Sequence, residues 1–300
     1  MLEAKKDPQT GKWFVEIEGK RIRSASKAYV AATAANLGFS VTFGDQVDAP
    51  QKISVNDEFG INERFEFVEK LVKMVADGVQ ASAVITGEGG LGKTFTVTKT
   101  LENSGYTDIS DYGTLEEDMI IRRSTTYIAI KGFSTAKGLY RTLFENNDGV
   151  IIFDDCDSIL KDPVAVNILK SALDSYGKRV ISWNADLRDD DLPKSFVFTG
   201  KVIFISNLGQ HQIDQAIRSR SMMIDLSMSV EQKIERMATI AMQEDFMPEY
   251  DKAYISDALD LIREIKDDAK EISLRTLISV TKIRSANTDW RNLARYTLVA

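Results

Sequence analysis

The stretch Gly87-Glu88-Gly89-Gly90-Leu91-Gly92-Lys93-Thr94 decides the fold, because it matches G-x-x-x-x-G-K-[ST], the pattern of a phosphate-binding loop. A short apolar run, residues 83–85, precedes it, and residues 95–103 can form a helix. Glycines let backbone N–H groups approach phosphate oxygens, and a helix N-terminus adds donors and partial positive charge. The stretch therefore predicts a nucleotide site in which Lys93 reaches the β- and γ-phosphates and the Thr94 hydroxyl binds Mg²⁺.

Composition is that of an ordinary globular protein, with 300 residues of which 43% are hydrophobic and 28% charged. The length allows one large domain or two smaller ones. We find no apolar run of transmembrane length and no signal segment, so we expect a cytoplasmic protein without a membrane partner. The single cysteine, Cys156, excludes an internal disulfide framework, and the single histidine, His211, argues against a multi-histidine zinc site.

Charge is spread unevenly along the chain. Residues 1–44 carry seven Lys or Arg and four Asp or Glu, a net charge of +3, whereas the whole chain has −7 and the remainder therefore −10. An acidic body is not typical of a protein whose whole surface binds nucleic acid, although a local basic surface can still exist on such a body.

Residues 1–44 are predicted to form a small basic ββα-like appendage, followed by a linker over residues 45–60. Alternating polarity over residues 10–24 around Glu18-Gly19 predicts a β-hairpin, and the alanine-rich residues 26–37 predict a helix ended by Gly38. The unit weakly resembles the sheet-plus-helix DNA-binding modules of phage integrases, through Gly-Lys-Trp at 11–13, Gly-Lys-Arg at 19–21 and the helix. We interpret it as a docking appendage for DNA or a partner, or alternatively as a solvated hairpin packed on the body of the protein.

A second informative stretch is Val150-Ile151-Ile152-Phe153-Asp154-Asp155, a buried parallel strand that ends in acids. Ligands of open α/β sheets bind at this end of the strands, so the stretch matches a Walker B motif. Asp154 would hold Mg²⁺ through water, and Asp155 would orient or deprotonate the attacking water. In Walker B motifs glutamate is the commoner residue for that role, and aspartate is one methylene shorter. Asp157 is therefore a second candidate for it.

The C-terminal half of the chain supplies a third strand with a polar end. Residues 202–205 are apolar, and the predicted strand 201–207 ends in Asn207, which would position the lytic water. Before it, residues 179–183 and 195–199 predict two strands joined by a charged turn at 187–191. After it come a strand at 222–226 and four helices, at 230–243, 252–265, 272–283 and 290–298.

These motifs occur in the order found in the AAA+ ATPase family, and the chain resembles that family. The segment Ile213-Asp214-Gln215-Ala216-Ile217-Arg218-Ser219-Arg220-Ser221, which follows Asn207, is part of the resemblance. The resemblance implies an α/β fold with a P-loop core of parallel sheet flanked by helices (61–228) and a C-terminal helical lid (229–300). It also implies ATP and Mg²⁺ as cofactors, ATP hydrolysis, and a homo-oligomeric ring of about six subunits. Arg220, with Arg218 as second choice, would enter the neighbouring subunit's site, and Arg275 would report on the γ-phosphate from the lid.

Several features depart from the AAA+ family or are shared with other families of ATPases. The pair Asp154-Asp155 and the strand ending in asparagine also resemble viral superfamily 3 helicases. The hairpin at 179–199 resembles the hairpin that one branch of the AAA+ family has directly before the strand that here ends in Asn207. Phe133 to Tyr140 only weakly matches a pore loop. We expect a motor that remodels or translocates DNA or protein–DNA complexes, of a type found in phages and plasmids. A protein unfoldase and an assembly switch with slow hydrolysis are the alternatives.

Overall fold

The computed structural model describes residues 2–7, 10–17, 19–43, 58–110, 123–184 and 192–300. The chain forms two compact units, Met1–Ser54 and Val55–Ala300. The division between them falls within the predicted linker, most of which, residues 45–57, lies outside the described residues together with the predicted turn at 187–191. Each unit has its own hydrophobic core.

The described residues of the N-terminal unit form a four-stranded sheet with one helix, not the predicted ββα arrangement. Its strands are β1 (Leu2–Lys6), β2 (Trp13–Ile17), β3 (Lys20–Ser24) and β4 (Val41–Phe43), in the order β3-β2-β1-β4. The β2–β3 hairpin and helix α1 (Lys27–Ala35), capped by Ser26, confirm the two predicted elements. The prediction missed β1 and β4, which pair with each other across the whole unit, because that pairing is not visible in either local sequence.

The second unit is built on a six-stranded parallel sheet. Its strands are β5 (Ser82–Thr86), β6 (Thr107–Asp108), β7 (Thr126–Lys131), β8 (Val150–Asp154), β11 (Lys201–Ser206) and β12 (Met222–Asp225), in the order β12-β5-β11-β8-β7-β6. Strands β5 and β8 are buried at every position, as a parallel sheet covered on both faces requires. The predicted α/β class with a parallel sheet flanked by helices is confirmed.

Helices cover both faces of this sheet. On one face lie α2 (Ile61–Ala76) and α3 (Lys93–Asn103), which share a core with Ile85, Ile152 and Ile203. On the other face lie α4 (Ala136–Glu145), α5 (Asp157–Lys161), α6 (Pro163–Ala172) and the short α7 (Gln215–Arg218). The predicted hairpin is present there as antiparallel β9 (Val180–Ser182) and β10 (Ser195–Val197).

Four helices follow the sheet and form a further apolar cluster: α8 (Val230–Ala241), α9 (Lys252–Glu264), α10 (Leu274–Ala286) and α11 (Trp290–Val299). Leu91 of the glycine-rich loop is buried in that cluster, so the helices pack directly on the loop. Among the described helices, none is both long and apolar enough to cross a bilayer.

Candidate functional site

The glycine-rich loop runs from the end of β5 to the start of α3 and has a backbone that only glycine adopts easily. Gly87, Gly90 and Gly92 have φ values of 134°, 77° and 92°. A Cβ at Gly87 would lie 2.8 Å from the carbonyl carbon of Leu226, so a side chain there would collide with backbone. The glycines thus allow a closely wrapped loop whose N–H groups can turn toward a ligand.

Lys93 is buried under this loop. Its ammonium donates hydrogen bonds to the backbone oxygens of Gly87 and Glu88, the latter at 2.7 Å, and to Oδ1 of Asn207 at 3.0 Å. Burial lowers the pKa of Lys93, while the nearby carboxylates, Asp155 first, act in the opposite direction. The lysine is therefore held at the centre of the site by groups that phosphate oxygens could replace.

Thr94 and Asp154 meet where β5 and β8 end. The Thr94 hydroxyl donates to Oδ2 of Asp154 at 3.0 Å. Burial is the main cause that raises the pKa of Asp154, and the hydrogen bond from Thr94 partly opposes it. A hydroxyl and a carboxylate at this separation suit Mg²⁺, which prefers oxygen ligands and keeps several waters or phosphate oxygens. Since no three His, Cys, Asp or Glu side chains cluster in the described ranges, a metal here would need such additional ligands.

Asp155 and Asn207 form the exposed wall of the site. Nδ2 of Asn207 donates to Oδ1 of Asp155 at 2.8 Å, so one amide side chain joins Lys93 to Asp155. Asp155 has a positive φ of 54°, and its N–H donates to the Ile205 oxygen at 3.0 Å. This unusual backbone directs the chain out of β8 at a position where functional residues often sit.

The neighbours of Asp155 have structural contacts instead. Asp157 accepts a 2.6 Å hydrogen bond from the Ser206 hydroxyl, which in turn accepts from the Leu208 N–H. Asp157 therefore fixes the end of β11. Cys156 is buried, and burial raises the pKa of its thiol to about 11, so it is protonated near neutral pH and unsuited to act as a nucleophile.

The C-terminal helices touch the loop at two places. The Leu274 N–H donates to the Gly90 oxygen at 2.8 Å, and Ser273 would lie 3.1 Å from a Cβ at Gly90. Lys233 of α8 forms an ion pair with Glu88, with the lysine side chain 14% exposed and the carboxylate 61% exposed. The helical cluster is thus anchored on both sides of Gly89.

A cavity of about 770 Å³ opens beside Gly92, between α2, α3 and the C-terminal helices. Arg236 lies at its wall, stacked 3.7 Å from the ring centroid of Phe65 and bonded to Oδ1 of Asn62 at 3.1 Å. Burial lowers the pKa of Arg236. The apolar part of the lining includes Phe95, Ile240, Leu274 and Ile278, and charged residues, among them Glu69 of α2, Asp77 directly after it and Lys99 of α3, also line the cavity.

The three predicted arginines are distributed over two places. Arg275 is exposed and lies beside Gly90, with its Cδ 3.9 Å from the position of a Cβ there. Arg218 and Arg220 are remote, because the Arg220 oxygen accepts from Ser82, the first residue of β5, whereas the loop follows the last. Arg218 is exposed; Arg220 is half-buried and donates to the Ala216 oxygen at 3.1 Å.

Sequence reasoning predicted the polar residues at the strand ends and Arg275 of the C-terminal helices, and it missed the other residues that these helices bring to the loop. Lys233, Arg236 and Ser273 have no local motif. Of these three residues, only Arg236 could have been recognised in the sequence as a candidate, because it is a basic residue on the apolar face of α8.

Comparison with known proteins gives one distant relative and no family assignment. No family model matches the chain. The chain is similar to an uncharacterized 36.7 kDa protein of the nrdC-mobD intergenic region of Enterobacteria phage T4, with 26% identity over an alignment of 306 positions, gaps included, that covers 95% of this chain and 86% of the phage protein.

Proposed function

We propose that this chain is an Mg²⁺-dependent ATPase of the AAA+ type, acting as a homo-oligomer. The observation that carries the proposal is the convergence of Lys93, Thr94, Asp154, Asp155 and Asn207 at the carboxyl ends of the adjacent strands β5, β11 and β8. Ligands of open α/β sheets bind at this edge, where the loop also places the N-terminus of α3.

Each residue has a role that its contacts support. Lys93 exchanges the Gly87 and Glu88 oxygens for phosphate oxygens, and Asp155 takes a proton from water or orients it for attack on the γ-phosphorus. Asn207 holds that carboxylate by its 2.8 Å hydrogen bond. Thr94 and Asp154 would hold Mg²⁺, which supplies charge neutralisation at the phosphates. Water adds to phosphorus, the bond to the β-phosphate oxygen breaks, and ADP and phosphate leave.

The nucleoside would occupy the cavity beside Gly92. A nucleotide whose phosphates lie on the loop has its base within reach of this space, and the apolar wall formed by Phe95, Ile240 and Leu274 suits a planar ring. The volume of about 770 Å³ falls within the range of ordinary ligand pockets. ATP is preferred because no guanine-reading motif is present in the sequence.

An arginine supplied by a neighbouring subunit would complete each site. Arg218 is the better candidate on geometry, since it is exposed while Arg220 is engaged with the Ala216 oxygen. A planar guanidinium neutralises charge that develops on the transferred phosphoryl group, and such residues contribute about 10³–10⁵ in rate in other phosphoryl-transfer enzymes.

For the client, we favour DNA or a protein–DNA complex, and a protein client is the second candidate. Phe133, which is 80% exposed on the loop after β7, favours the second candidate, because an exposed aromatic ring can grip a polypeptide. Tyr140, the other end of the weakly matching segment, is instead buried and donates to the Pro193 oxygen.

Nucleotide binding and assembly test the proposal together. We expect wild type to bind a fluorescent ATP analogue in Mg²⁺, Lys93→Ala to lose most of that affinity, and the exposed control Lys161→Ala to keep it. We also expect the hydrolysis rate per subunit to rise with protein concentration and to fall when inactive Arg218→Ala is mixed in. Binding that is equal in wild type and Lys93→Ala would exclude the proposed site.

A further inference from the structure

We propose that Arg64 is a positioning residue of the nucleotide site, which holds helix α8 in a fixed orientation to the glycine-rich loop and so sets how long a nucleotide stays bound. The inference rests on the proposed nucleotide site for its functional consequence. Arg64 lies on α2, which belongs neither to the loop nor to the C-terminal helices.

The chain passes from the sheet to the C-terminal helices through a short connection, residues 226–229, between β12 and α8. Arg64, which is only 3% exposed, spans this connection. Its Nη1 donates to the backbone oxygens of Asp225 at 3.2 Å and Ser227 at 2.8 Å, and its Nη2 donates to Oε1 of Gln232 at 3.2 Å. One guanidinium therefore joins the end of the sheet, the connection and the first turn of α8.

The pattern of these bonds suits an arginine. A guanidinium carries its donors on a planar fork of fixed geometry, whereas a lysine ammonium is a point charge on a flexible stem. A buried charge is costly unless it is hydrogen-bonded, and buried carbonyl oxygens outside a helix or sheet also need donors. Arg64 and the connection meet these needs for each other, so the loss of either leaves buried polar groups without partners.

The connection that Arg64 holds also packs on the glycine-rich loop. Leu226 lies between the two residues whose backbone oxygens accept from Arg64, and its carbonyl carbon lies 2.8 Å from the position of a Cβ at Gly87. At the other end of the connection, Gln232 directly precedes Lys233, which forms the ion pair with the loop. A change in the bonds of Arg64 therefore reaches the loop by two routes.

A second set of polar contacts joins α2 to α8. Asn62 donates to Oε1 of Glu235 at 3.1 Å and accepts from Nη1 of Arg236 at 3.1 Å. Hydrogen bonds depend on direction as well as distance, so these contacts fix the rotation of α8 and not only its proximity to α2. Arg236 also lines the cavity proposed for the nucleoside, so the orientation of α8 affects the nucleoside as well as the phosphates.

A purely structural role for Arg64 is the competing explanation, because the loss of a buried, hydrogen-bonded charge destabilises a protein. Gln232 separates the two explanations, since it is half-buried and its replacement leaves both backbone acceptors of Arg64 in place. Glutamate at this position would give Arg64 a carboxylate acceptor, which binds a guanidinium more strongly than an amide oxygen does. The proposal therefore predicts slower nucleotide release in one variant, a gain that a loss of stability does not produce.

The test measures the dissociation of a fluorescent ATP analogue from the full chain in Mg²⁺, after displacement by excess ATP. We expect Gln232→Ala to release the nucleotide roughly tenfold faster than wild type and Gln232→Glu to release it several-fold more slowly. Arg64→Met should also accelerate release, and Gln232→Glu should no longer slow release when it is combined with Arg64→Met. The controls Gln215→Ala and Gln215→Glu change an exposed glutamine of α7 and should release the nucleotide as wild type does.

Two results would overturn the inference: release from Gln232→Glu that is no slower than from wild type, or equal slowing in the Arg64→Met background. Circular dichroism and urea denaturation check that each variant is folded. Hydrogen exchange without nucleotide distinguishes the two proposals. If wild type binds no nucleotide, the ATPase proposal fails, whereas the amides of α8 should still exchange faster in Gln232→Ala than in wild type. Unchanged exchange in α8 would show that Arg64 does not hold this helix.

Discussion

Lys93 and Asn207, which are 114 positions apart in the sequence, are joined by a 3.0 Å hydrogen bond from the ammonium to the side-chain oxygen. The other end of the same amide donates to Asp155. A single side chain therefore fixes both the group proposed to bind phosphate and the group proposed to activate water.

This bridge predicts the effect of Asn207→Ala. We expect the rate of ATP hydrolysis to fall roughly 10–100-fold, because Asp155 loses the group that orients it, while nucleotide affinity changes little. Steady-state phosphate release and fluorescent-nucleotide titration measure the two quantities. The exposed Asn292→Ala on α11 serves as control, and a rate unchanged from wild type in Asn207→Ala would remove this residue from the mechanism.

Thr94 predicts a specific change in metal dependence. Thr94→Ala removes the hydroxyl that lies 3.0 Å from Asp154 and should raise the Mg²⁺ concentration for half-maximal hydrolysis by roughly tenfold. Thr94→Ser keeps the oxygen and should behave nearly as wild type. Titration of Mg²⁺ at fixed ATP distinguishes them, and identical curves for the alanine and serine variants would argue against a metal ligand at this position.

Gly87 predicts a large loss of stability on substitution. In Gly87→Ala the new Cβ would meet backbone at 2.8 Å at a φ of 134°, so we expect unfolding free energy to fall by more than about 2 kcal/mol. Gly105→Ala is the matched control, since Gly105 also has a positive φ, 85°, but open space around its Cβ. In Gly105→Ala, backbone strain alone should lower the unfolding free energy by about 1 kcal/mol. Urea denaturation measures both, and equal losses would show that the contact with Leu226 is unimportant.

The ion pair between Glu88 and Lys233 predicts an effect on nucleotide release. Lys233→Ala should accelerate dissociation of a fluorescent nucleotide several-fold, because it loosens α8 from the loop, yet it should lower stability by only about 0.2–1 kcal/mol. Lys266→Ala breaks a 3.1 Å pair with Glu231, a residue of the same helix α8, and should leave dissociation unchanged. The swap Glu88→Lys/Lys233→Glu should recover wild-type kinetics if the pair itself matters.

The sequence predicted what is encoded locally. The loop 87–94 has a fixed spacing, and the runs ending in Asp154 and Asn207 are continuous because their strands are covered on both faces. Strands β1 and β4 and the strand order depend on pairing between distant segments, which no local pattern contains. The same reason explains why Lys233 was missed, since its partner Glu88 lies 145 positions away.

The most direct test of the central claim is phosphate release from Mg²⁺·ATP by wild type beside Asp155→Asn and Lys93→Ala, with all three shown to be folded by circular dichroism. The account predicts steady turnover by wild type, bound but almost unhydrolysed ATP in Asp155→Asn, and neither binding nor turnover in Lys93→Ala. No release by wild type at any protein concentration, or equal release by all three proteins, would contradict it.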